Sequence, residues 1–467
     1  MSCLSMTGSF RGLRVVRPLP VRMANIQTVN RRGDVVRTRS LRLLSGRSLD
    51  LLLLLGSVLS PAVSARTAVA EDWPGWRGPR GDGTSLESQV PVHWNGTNGE
   101  HVRWKTRLPG TGHSSPIVWR QSIFLTACDE GSGARLLLKV DAATGAIQWQ
   151  TEVLKAPLEK RHPLNNCASG TPLTDGQRVF VTFLEPDFSS DSEATPGNLV
   201  VAAYDFAGHL LWSVKPGRFS SVHGFCSSPV LFEDLVIVNG DHDGDGYIVA
   251  LDRESGATVW KQQRPHNTRS YVTPIIRRIG DRTQMVLSGS KCVASYDPKD
   301  GTLHWIIEGP TEQFVASLVY NGSLLFLTAG FPERHILAIR PDGRGDVTDT
   351  HIVWRTTKAC SYVPSPAVVD KYFLVAADNG IASCYEADSG RLLWMERLGK
   401  QYSASLLVAN GLVYFLDDDG VTKVVRPGKQ LEVVAENPLG EPCRATPAIS
   451  GGQIYLRGTE HLFSIGP

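Results

Sequence analysis

The sequence lacks the short motifs that mark several common classes of enzyme and metal protein. No two of its eight Cys are close enough to form a CxxC pair, and no HExxH, GxSxG or Walker P-loop motif is present. The kinase HRD and DFG motifs are also missing. These absences give no support to a zinc-finger, thioredoxin-like, metalloprotease, serine-hydrolase, nucleotide-hydrolase or kinase function.

Neither sign of charge dominates the chain, but the two signs are unevenly distributed. The 467 residues contain 48 Lys and Arg against 46 Asp and Glu. Residues 1–70 hold eleven Arg, no Lys and only two acids, which leaves 37 basic and 44 acidic residues in the rest. A mildly acidic body of this kind does not predict a nucleic-acid partner, because phosphate binding needs a basic surface.

No apolar run has the length of a comfortable membrane span. The longest, residues 48–63, is preceded by Arg42 and Arg47, interrupted by Pro61, and followed by small-residue cleavage candidates ending at Ala65 and Ala70. We predict that residues 1–70 form a signal or leader segment and that the protein is periplasmic or secreted. If the leader stayed uncleaved, it would anchor the protein to the membrane.

A repeat of about 45 residues follows the leader and is the main evidence for the fold. Its core is an Asp, a Gly four residues later and a Trp four residues after that, as in Asp252, Gly256 and Trp260. Shortened or stretched copies end at Trp212 and Trp354. The segment around Trp104 carries the end of the motif without its beginning. We expect the Asp and Gly to form a turn between two outer strands and the Trp to pack between neighbouring sheets.

Each unit opens with a small residue or Pro before a short apolar run, and there are eight such openings between residues 114 and 449. Strand-length segments rich in β-branched and aromatic residues follow each opening. The sequence therefore predicts an all-β fold, an eight-bladed β-propeller of four-stranded blades over residues 100–467. The strand around Trp104 would close the ring, and residues 71–99 would be an extension packed on the propeller. An open β-solenoid is the alternative.

Three copies of the repeat identify the family that it resembles. The segments 140–149, 251–260 and 296–305 are similar to the propeller repeat of the pyrroloquinoline-quinone type. This resemblance implies an eight-bladed propeller and two functional branches, the quinoprotein alcohol and glucose dehydrogenases and non-catalytic scaffold proteins similar to BamB. The segment 72–85, DWPGWRGPRGDGTS, resembles the N-terminal signature of a secreted subfamily of planctomycete-like bacteria.

The dehydrogenase branch implies a quinone stacked between a Trp and a disulfide of adjacent Cys, beside Ca²⁺, with an Asp as base. This chain has no adjacent Cys, and its repeat Trp residues are accounted for by blade packing. The resemblance therefore favours an exported, non-catalytic binding or scaffolding propeller of the cell envelope, with no catalytic residues and no firm cofactor. An envelope protein, a peptide or a glycan is the expected partner. A quinoprotein dehydrogenase is the alternative, and a polysaccharide hydrolase or lyase is a third hypothesis.

One acidic segment has the spacing of a calcium loop. Asp241, Asp243 and Asp245 occupy alternate positions, Gly246 follows, and Asp252 stands where the last ligand of an EF-hand-like loop would be. These four residues are the predicted calcium ligands. Asp252 is also the turn residue of a repeat, so a polar hairpin without metal is the alternative interpretation.

The residues just before the openings are the predicted ligand site. The innermost strand of each blade begins near one end of the central channel, so these residues should surround its mouth, and a concave mouth with a few polar groups is a common ligand site. Alternatively, they only fill and solvate the channel. The predicted ligand-binding residues are His113, Cys226, Tyr271, Tyr362, Tyr402 and Arg444, with Ser169 and Phe314 at the corresponding positions of the other two blades.

Overall fold

The computed structural model describes residues 70–189 and 194–467. Most of the predicted leader and the cleavage candidate at Ala65 therefore lie outside the described residues, and Ala70 is the first residue described. The described part of the chain contains no helix that is long and apolar enough to cross a membrane. It consists of strands joined by turns and loops, as the spacing of the openings predicts.

Eight sheets form the eight blades of a propeller, and the first strands of blades 8 and 1, 1 and 2, 5 and 6, and 6 and 7 contact one another. Within each blade, consecutive strands pair antiparallel. From the inner to the outer strand, the first four blades comprise Ile117–Trp119, Ser122–Asp129, Ala134–Asp141 and Ile147–Lys155 (blade 1); Leu173–Thr174, Arg178–Pro186, Thr195–Asp205 and Leu210–Ser221 (blade 2); Val230–Phe232, Leu235–Gly240, Tyr247–Asp252 and Thr258–Gln263 (blade 3); and Ile275–Ile279, Arg282–Gly289, Cys292–Tyr296 and Leu303–Glu308 (blade 4).

The other four blades repeat this order, and the last of them takes its outer strand from the N-terminal part of the chain. Their strands are Val319–Tyr320, Leu325–Ala329, His335–Ile339 and Ile352–Thr356 (blade 5); Ala367–Val369, Tyr372–Ala376, Ile381–Glu386 and Leu392–Arg397 (blade 6); Leu407–Ala409, Leu412–Leu416, Val421–Arg426 and Glu432–Pro438 (blade 7); and Ala448–Ser450, Gln453–Arg457, His461–Ile465 and Val102–Arg107 (blade 8).

The predicted closure of the ring is confirmed. Val102–Arg107 pairs antiparallel with His461–Ile465, and Trp104 lies opposite Ser464. The first strand of blade 1 also contacts the first strand of blade 8. The end of the chain therefore has no unpaired sheet edge at this position, which removes a surface on which other strands could add.

The Trp of one blade packs on the turn of the next, which explains the repeat motif. Trp212 donates its indole N–H to the carbonyl of Arg253 at 3.1 Å. Gly256 has φ +72°, and a Cβ there would lie 2.6 Å from the Trp212 ring, so the turn needs glycine twice over. The same indole-to-carbonyl bond to the next blade is made by Trp104, Trp149, Trp260, Trp354 and Trp394.

The stretched repeat before Trp354 breaks this pattern for a structural reason. Residues Gly345–Asp346 pair parallel with the outer strand of blade 4 and add a short fifth strand to that sheet. Trp305 is fully buried beneath this addition and donates its N–H to Gln284 Oε1 within its own blade, at 2.8 Å. The insertion thus replaces the turn on which Trp305 would otherwise pack.

Residues 72–87 lie across the inner strands and form a segment that we call the cap. Trp73 pairs with Val118 of blade 1, and Thr84 pairs with Val408 of blade 7. The carboxylate of Glu87 accepts the backbone N–H groups of Gly451 and Gly452, which follow the first strand of blade 8. Because these contacts lie where inner strands end, the cap crosses the channel at the end away from the openings.

Candidate functional site

A belt of side-chain hydroxyls connects the openings of neighbouring blades. Each opening has Ser or Thr at its second position. At five of the eight junctions the backbone N–H of this residue donates to the hydroxyl of the next. Two runs of this belt are formed, through Ser115, Thr171 and Ser228 and through Ser317, Ser365, Ser405 and Thr446, at 2.9–3.0 Å. Between the runs, Ser317 Oγ donates to the carbonyl of Thr273 at 2.7 Å. The belt thus connects neighbouring inner strands directly at the level of the mouth.

The mouth of the channel holds a cavity of about 410 Å³, which we call the mouth cavity. Its lining mixes aromatic, cationic, imidazole and aliphatic side chains from the openings of all eight blades and from neighbouring turns and connections. The lining residues are His113, His162, Leu164, Asn165, Ser169, His223, Cys226, Tyr271, Val315, Arg334, Tyr362, Val363, Asp378, Ser403 and Arg444.

Five of the six predicted ligand-binding residues line this cavity, and Tyr402 does not. The ring of Tyr402 is 2% exposed and packs 6.3 Å from that of Phe415, between blades 6 and 7. Its neighbour Ser403 lines the cavity instead, and Val315 does so in place of the fully buried Phe314. In blades 5, 6 and 7 the prediction named the residue two positions before the opening, whereas the residue directly before it lines the cavity.

When the eight openings are aligned on the belt hydroxyl, the residues that line the cavity fall at one position. The residue two positions before each of the eight hydroxyls lines the mouth cavity: His113, Ser169, Cys226, Tyr271, Val315, Val363, Ser403 and Arg444. Tyr362 joins them from the position before Val363. Alignment on the second residue of each opening would have found all eight positions from the sequence.

Sequence reasoning also missed lining residues that come from other connections. Arg334 and Asp378 lie in the turns between the second and third strands of blades 5 and 6, and His162 lies in the connection from blade 1 to blade 2. Because strands alternate in direction, the second strand ends at the level where the first begins. These turns and connections therefore lie on the same face as the openings. The predicted order of antiparallel strands would have been enough to place them there.

The aromatic and imidazole side chains of the cavity are held by hydrogen bonds. The hydroxyl of Tyr271 lies 2.5 Å from Ser221 Oγ and 2.9 Å from His223 Nδ1. The hydroxyl of Tyr362 donates to Gln313 Oε1 at 3.1 Å. The rings of His162 and His223 meet edge to face, with centroids 5.6 Å apart. These rings are set in place before any ligand binds, which reduces the entropy that binding must overcome.

The charged groups of the cavity are two guanidinium groups and one carboxylate. Asp378 accepts the backbone N–H groups of Tyr362 and Val363, at 2.7 and 3.0 Å, so its charge is already satisfied. Burial, together with Arg457 and Arg444, lowers the pKa of His113 to about 4, and burial likewise lowers the pKa of His223. Both imidazoles are therefore neutral at pH 7, and Arg334 and Arg444 supply the positive charge.

The four predicted calcium ligands are not brought together. Asp241 is fully buried and accepts from Arg264 Nε at 3.0 Å and from Ser270 Oγ at 2.8 Å. Its pKa is raised by burial, an effect that the guanidinium of Arg264 partly offsets. Asp243 pairs with Arg269, which leaves Asp245 as an exposed residue of the same turn.

Asp252 lies at the far end of the strand Tyr247–Asp252, about 17 Å of strand from that turn. It accepts the backbone N–H and the hydroxyl of Ser255, at 2.8 and 2.6 Å, and forms the turn between the outer strands of blade 3. The strand thus separates Asp252 from the other three acids, which lie in a turn on the opposite face of the propeller. Among residues 70–189 and 194–467, no group of three or more His, Cys, Asp or Glu is arranged to hold a metal ion.

The lining of the mouth cavity does not fit the quinone and calcium of the dehydrogenase branch. The described lining contains no Trp, one Cys and one carboxylate, and that carboxylate is occupied by backbone N–H groups. The seven Cys of the described residues are all unpaired. The stacking partners and the oxygen ligands that the resemblance implies are therefore not assembled at this mouth.

Comparison with solved structures places the fold among both branches. BamB from Moraxella catarrhalis superposes with a TM-score of 0.55 at 13% identity, covering 78% of this chain and 97% of that one. The quinohemoprotein alcohol dehydrogenase from Comamonas testosteroni has a TM-score of 0.59 at 13% identity, covering 85% and 80%. At this level of identity the likeness shows the shared fold alone.

Two sequence comparisons are more specific. The chain is 27% identical over 171 residues to methanol dehydrogenase [cytochrome c] subunit 1 from Paracoccus denitrificans, which is 32% of this chain and only 25% of that protein. The family model described as "Outer membrane protein assembly factor BamB" matches residues 88–183, 133–328 and 343–457, which is most of the propeller. This protein therefore belongs to the BamB-like family of propellers built from repeats of the pyrroloquinoline-quinone type.

Proposed function

We propose that this protein is a binding propeller of the cell envelope whose mouth cavity holds a segment of a partner protein. The observation that carries the proposal is the mouth cavity itself, about 410 Å³ in volume and lined by hydrogen-bonded tyrosines and two arginines. Concave sites of this size, with an apolar body and a few fixed polar groups, are typical of ligand-binding sites.

The composition of the lining favours a polypeptide segment. Leu164, Val315 and Val363 offer apolar contact, while Arg334 and Arg444 offer charged hydrogen-bond donors. Tyrosine and arginine are the residue types that most often dominate protein interfaces. Membership of a family described as an assembly factor supports a protein partner, and the predicted leader supports the envelope location. The acidic body gives no support to a nucleic-acid partner.

The test is selection of a random peptide library on the purified protein, followed by titration of the enriched peptides on point variants. We expect Tyr362→Ala to weaken binding by about tenfold or more, since it removes a ring that is fixed in the cavity wall. Tyr372→Ala is the matched control. It removes a tyrosine ring from the start of the second strand of blade 6, at the end of the blade away from the mouth. Its affinity should stay within about twofold of the original.

Two results would contradict a peptide site at the mouth. One is equal binding of the enriched peptides to the original protein and to Tyr362→Ala. The other is a library that gives no enriched peptide while envelope oligosaccharides bind and lose affinity in Tyr362→Ala, which would make a glycan the ligand.

A quinoprotein dehydrogenase is the second candidate, and the identity with the methanol dehydrogenase subunit is the observation that favours it. Thermal melts with Ca²⁺, with pyrroloquinoline quinone and with both would separate the two functions, because a bound ligand raises the melting temperature. We expect no increase that depends on the quinone. A quinone-dependent increase that grows with Ca²⁺ would favour the dehydrogenase, and an increase with Ca²⁺ alone would indicate a structural calcium site.

A further inference from the structure

A smaller cavity, which we call the side pocket, lies beside the mouth cavity between blades 8 and 1 and the connection that follows blade 1. Its volume is about 220 Å³, and its charged lining consists of Arg161, Arg444, Arg457 and Glu130. Three guanidinium groups thus face one carboxylate, an excess of positive charge within a small concave space. Cavities that take a whole drug-sized ligand are usually larger, so this one fits a single chemical group.

Arg457 is the unusual member of this set. Its side chain is fully buried, and Nη1 donates to the carbonyl of Ser114 at 3.0 Å, to Ser114 Oγ at 2.6 Å and to the carbonyl of Thr126 at 2.8 Å. Its Nε has no hydrogen-bond partner, and among the described residues no Asp or Glu forms an ion pair with it.

A buried guanidinium without a counter-ion costs considerable free energy. Burial lowers the pKa of Arg457 to about 9, so the group still carries its charge at pH 7. The fold therefore holds a desolvated positive charge at the wall of the side pocket with no anion of its own to balance it. An anion entering the pocket would supply that balance.

The neighbouring groups leave this charge available. Glu130 is occupied by Arg161 Nη2 at 3.0 Å, by the Thr111 hydroxyl at 2.9 Å and by Asn166 Nδ2 at 3.2 Å. Arg444 is partly exposed, and its Nε lies 3.7 Å from Asp418. The guanidinium of Arg444 is thus only loosely paired and can reach a ligand.

From these contacts we propose that the side pocket is an anion-binding subsite for one phosphate or carboxylate group, held by Arg457 and Arg444. His113, Asn165 and Arg444 line both cavities, so a ligand in the mouth cavity can extend its anionic end into the side pocket. In this respect the inference rests on the proposed function. It adds that the ligand of this propeller carries an anionic group next to its apolar part.

The test is calorimetric titration of the purified protein with inorganic phosphate and, separately, with acetate, at constant ionic strength kept with sodium chloride. We expect saturable binding of one anion per chain, and the tighter of the two identifies a phosphate-bearing or a carboxylate-bearing ligand. Arg444→Gln should weaken this binding by about tenfold, the effect of removing one charged hydrogen-bonding group. Arg391→Gln is the matched control, since it removes the same charge from an exposed position of blade 6.

Arg457→Met tests the buried charge directly and should abolish anion binding in a protein that melts cooperatively. If this variant does not fold, Arg444→Gln still decides the question. Failure of both anions to saturate, or equal weakening by Arg444→Gln and Arg391→Gln, would overturn the proposal. Because the probes are free anions, that failure leaves the peptide titrations with Tyr362→Ala unaffected, and the two proposals are tested separately.

Discussion

At the residue scale, His113 combines a mouth position with an unfavourable setting for charge. It lies two residues before the hydroxyl of Ser115, and both Arg457 and Arg444 act on it. Burial is the largest cause of its lowered pKa, and the two guanidinium groups add to it. A neutral imidazole at this place adds no further positive charge to the arginines of the two cavities.

The position of His113 predicts a pH dependence of stability. Its pKa is about 4 in the folded state and about 6.5 when unfolded, so the unfolded chain binds more protons between these values. The contribution of His113 to stability is therefore fully present above about pH 6.5 and is lost as the pH falls toward 4. We expect about 2 kcal/mol to be lost between pH 7.5 and pH 5 in urea unfolding, and His113→Asn to lack this part of the loss.

The exposed His209 provides the comparison for this measurement. His209→Asn makes the same substitution at a side chain that is 78% exposed, and it is measured in parallel. If His113→Asn and the original protein lose stability in parallel between pH 7.5 and pH 5, the folded protein does not depress the pKa of this residue.

At the element scale, the hydroxyl belt connects the inner strands of neighbouring blades at five of the eight junctions. Inner strands in this propeller are two to five residues long, so they form few backbone hydrogen bonds with their own blade. A bond from one opening to the hydroxyl of the next compensates for this by connecting neighbouring blades directly. The second residue of each opening is thus a structural residue, and the residue two before it is the one that faces the mouth.

Replacing one belt hydroxyl should destabilise the protein measurably. Ser365→Ala removes the acceptor for the backbone N–H of Ser317, and both residues are fully buried. An N–H left unpaired in the interior costs about 1–3 kcal/mol, and we expect the free energy of unfolding in urea to fall by that amount. Ser323→Ala, in an exposed turn, should change it by less than about 0.5 kcal/mol. If the two substitutions changed the free energy of unfolding equally, the belt hydrogen bond would not contribute to stability.

At the scale of the whole molecule, the strand Val102–Arg107 closes the ring and the cap crosses the channel. These two contributions come from neighbouring segments but act at different places. The strand completes blade 8, whereas the cap contacts the inner strands of blades 1 and 7 and the end of the inner strand of blade 8. Two N-terminal truncations that begin at different residues can separate the effect of the closing strand from that of the cap.

A chain that begins at Leu108 should self-associate, because it leaves His461–Ile465 as an unpaired edge strand. A chain that begins at Glu100 lacks the cap but keeps the closing strand, and we expect it to keep the oligomeric state of the full chain. Light scattering coupled to size-exclusion chromatography measures both. A monomeric, cooperatively melting chain from Leu108 would show that closure by this strand is not needed to protect the edge.

The sequence alone determined the number of blades, their order and the strand that closes the ring. These features follow from local physics: a turn that needs glycine, a Trp that packs on the next turn, and a small hydroxyl residue at each opening. All of them recur at a fixed spacing, so a single chain contains several copies of the same evidence. The positions of His113, Cys226, Tyr271 and Arg444 at the mouth were predictable for the same reason.

Only the tertiary structure decided which of the other residues meet. Asp241 and Asp252 have the spacing of the first and last ligands of a calcium loop, but the strand between them places them on opposite faces of the propeller. Tyr402 and Ser403 are neighbours, and blade packing buries the first while the second faces the cavity. The side pocket joins Arg161 of one connection with Arg457 of the last blade, because ring closure brings the two ends of the repeat array together. The spacing of residues along the chain is enough to predict the strands of each blade. The charge of a site depends on contacts between blades, and these contacts cannot be read from the spacing.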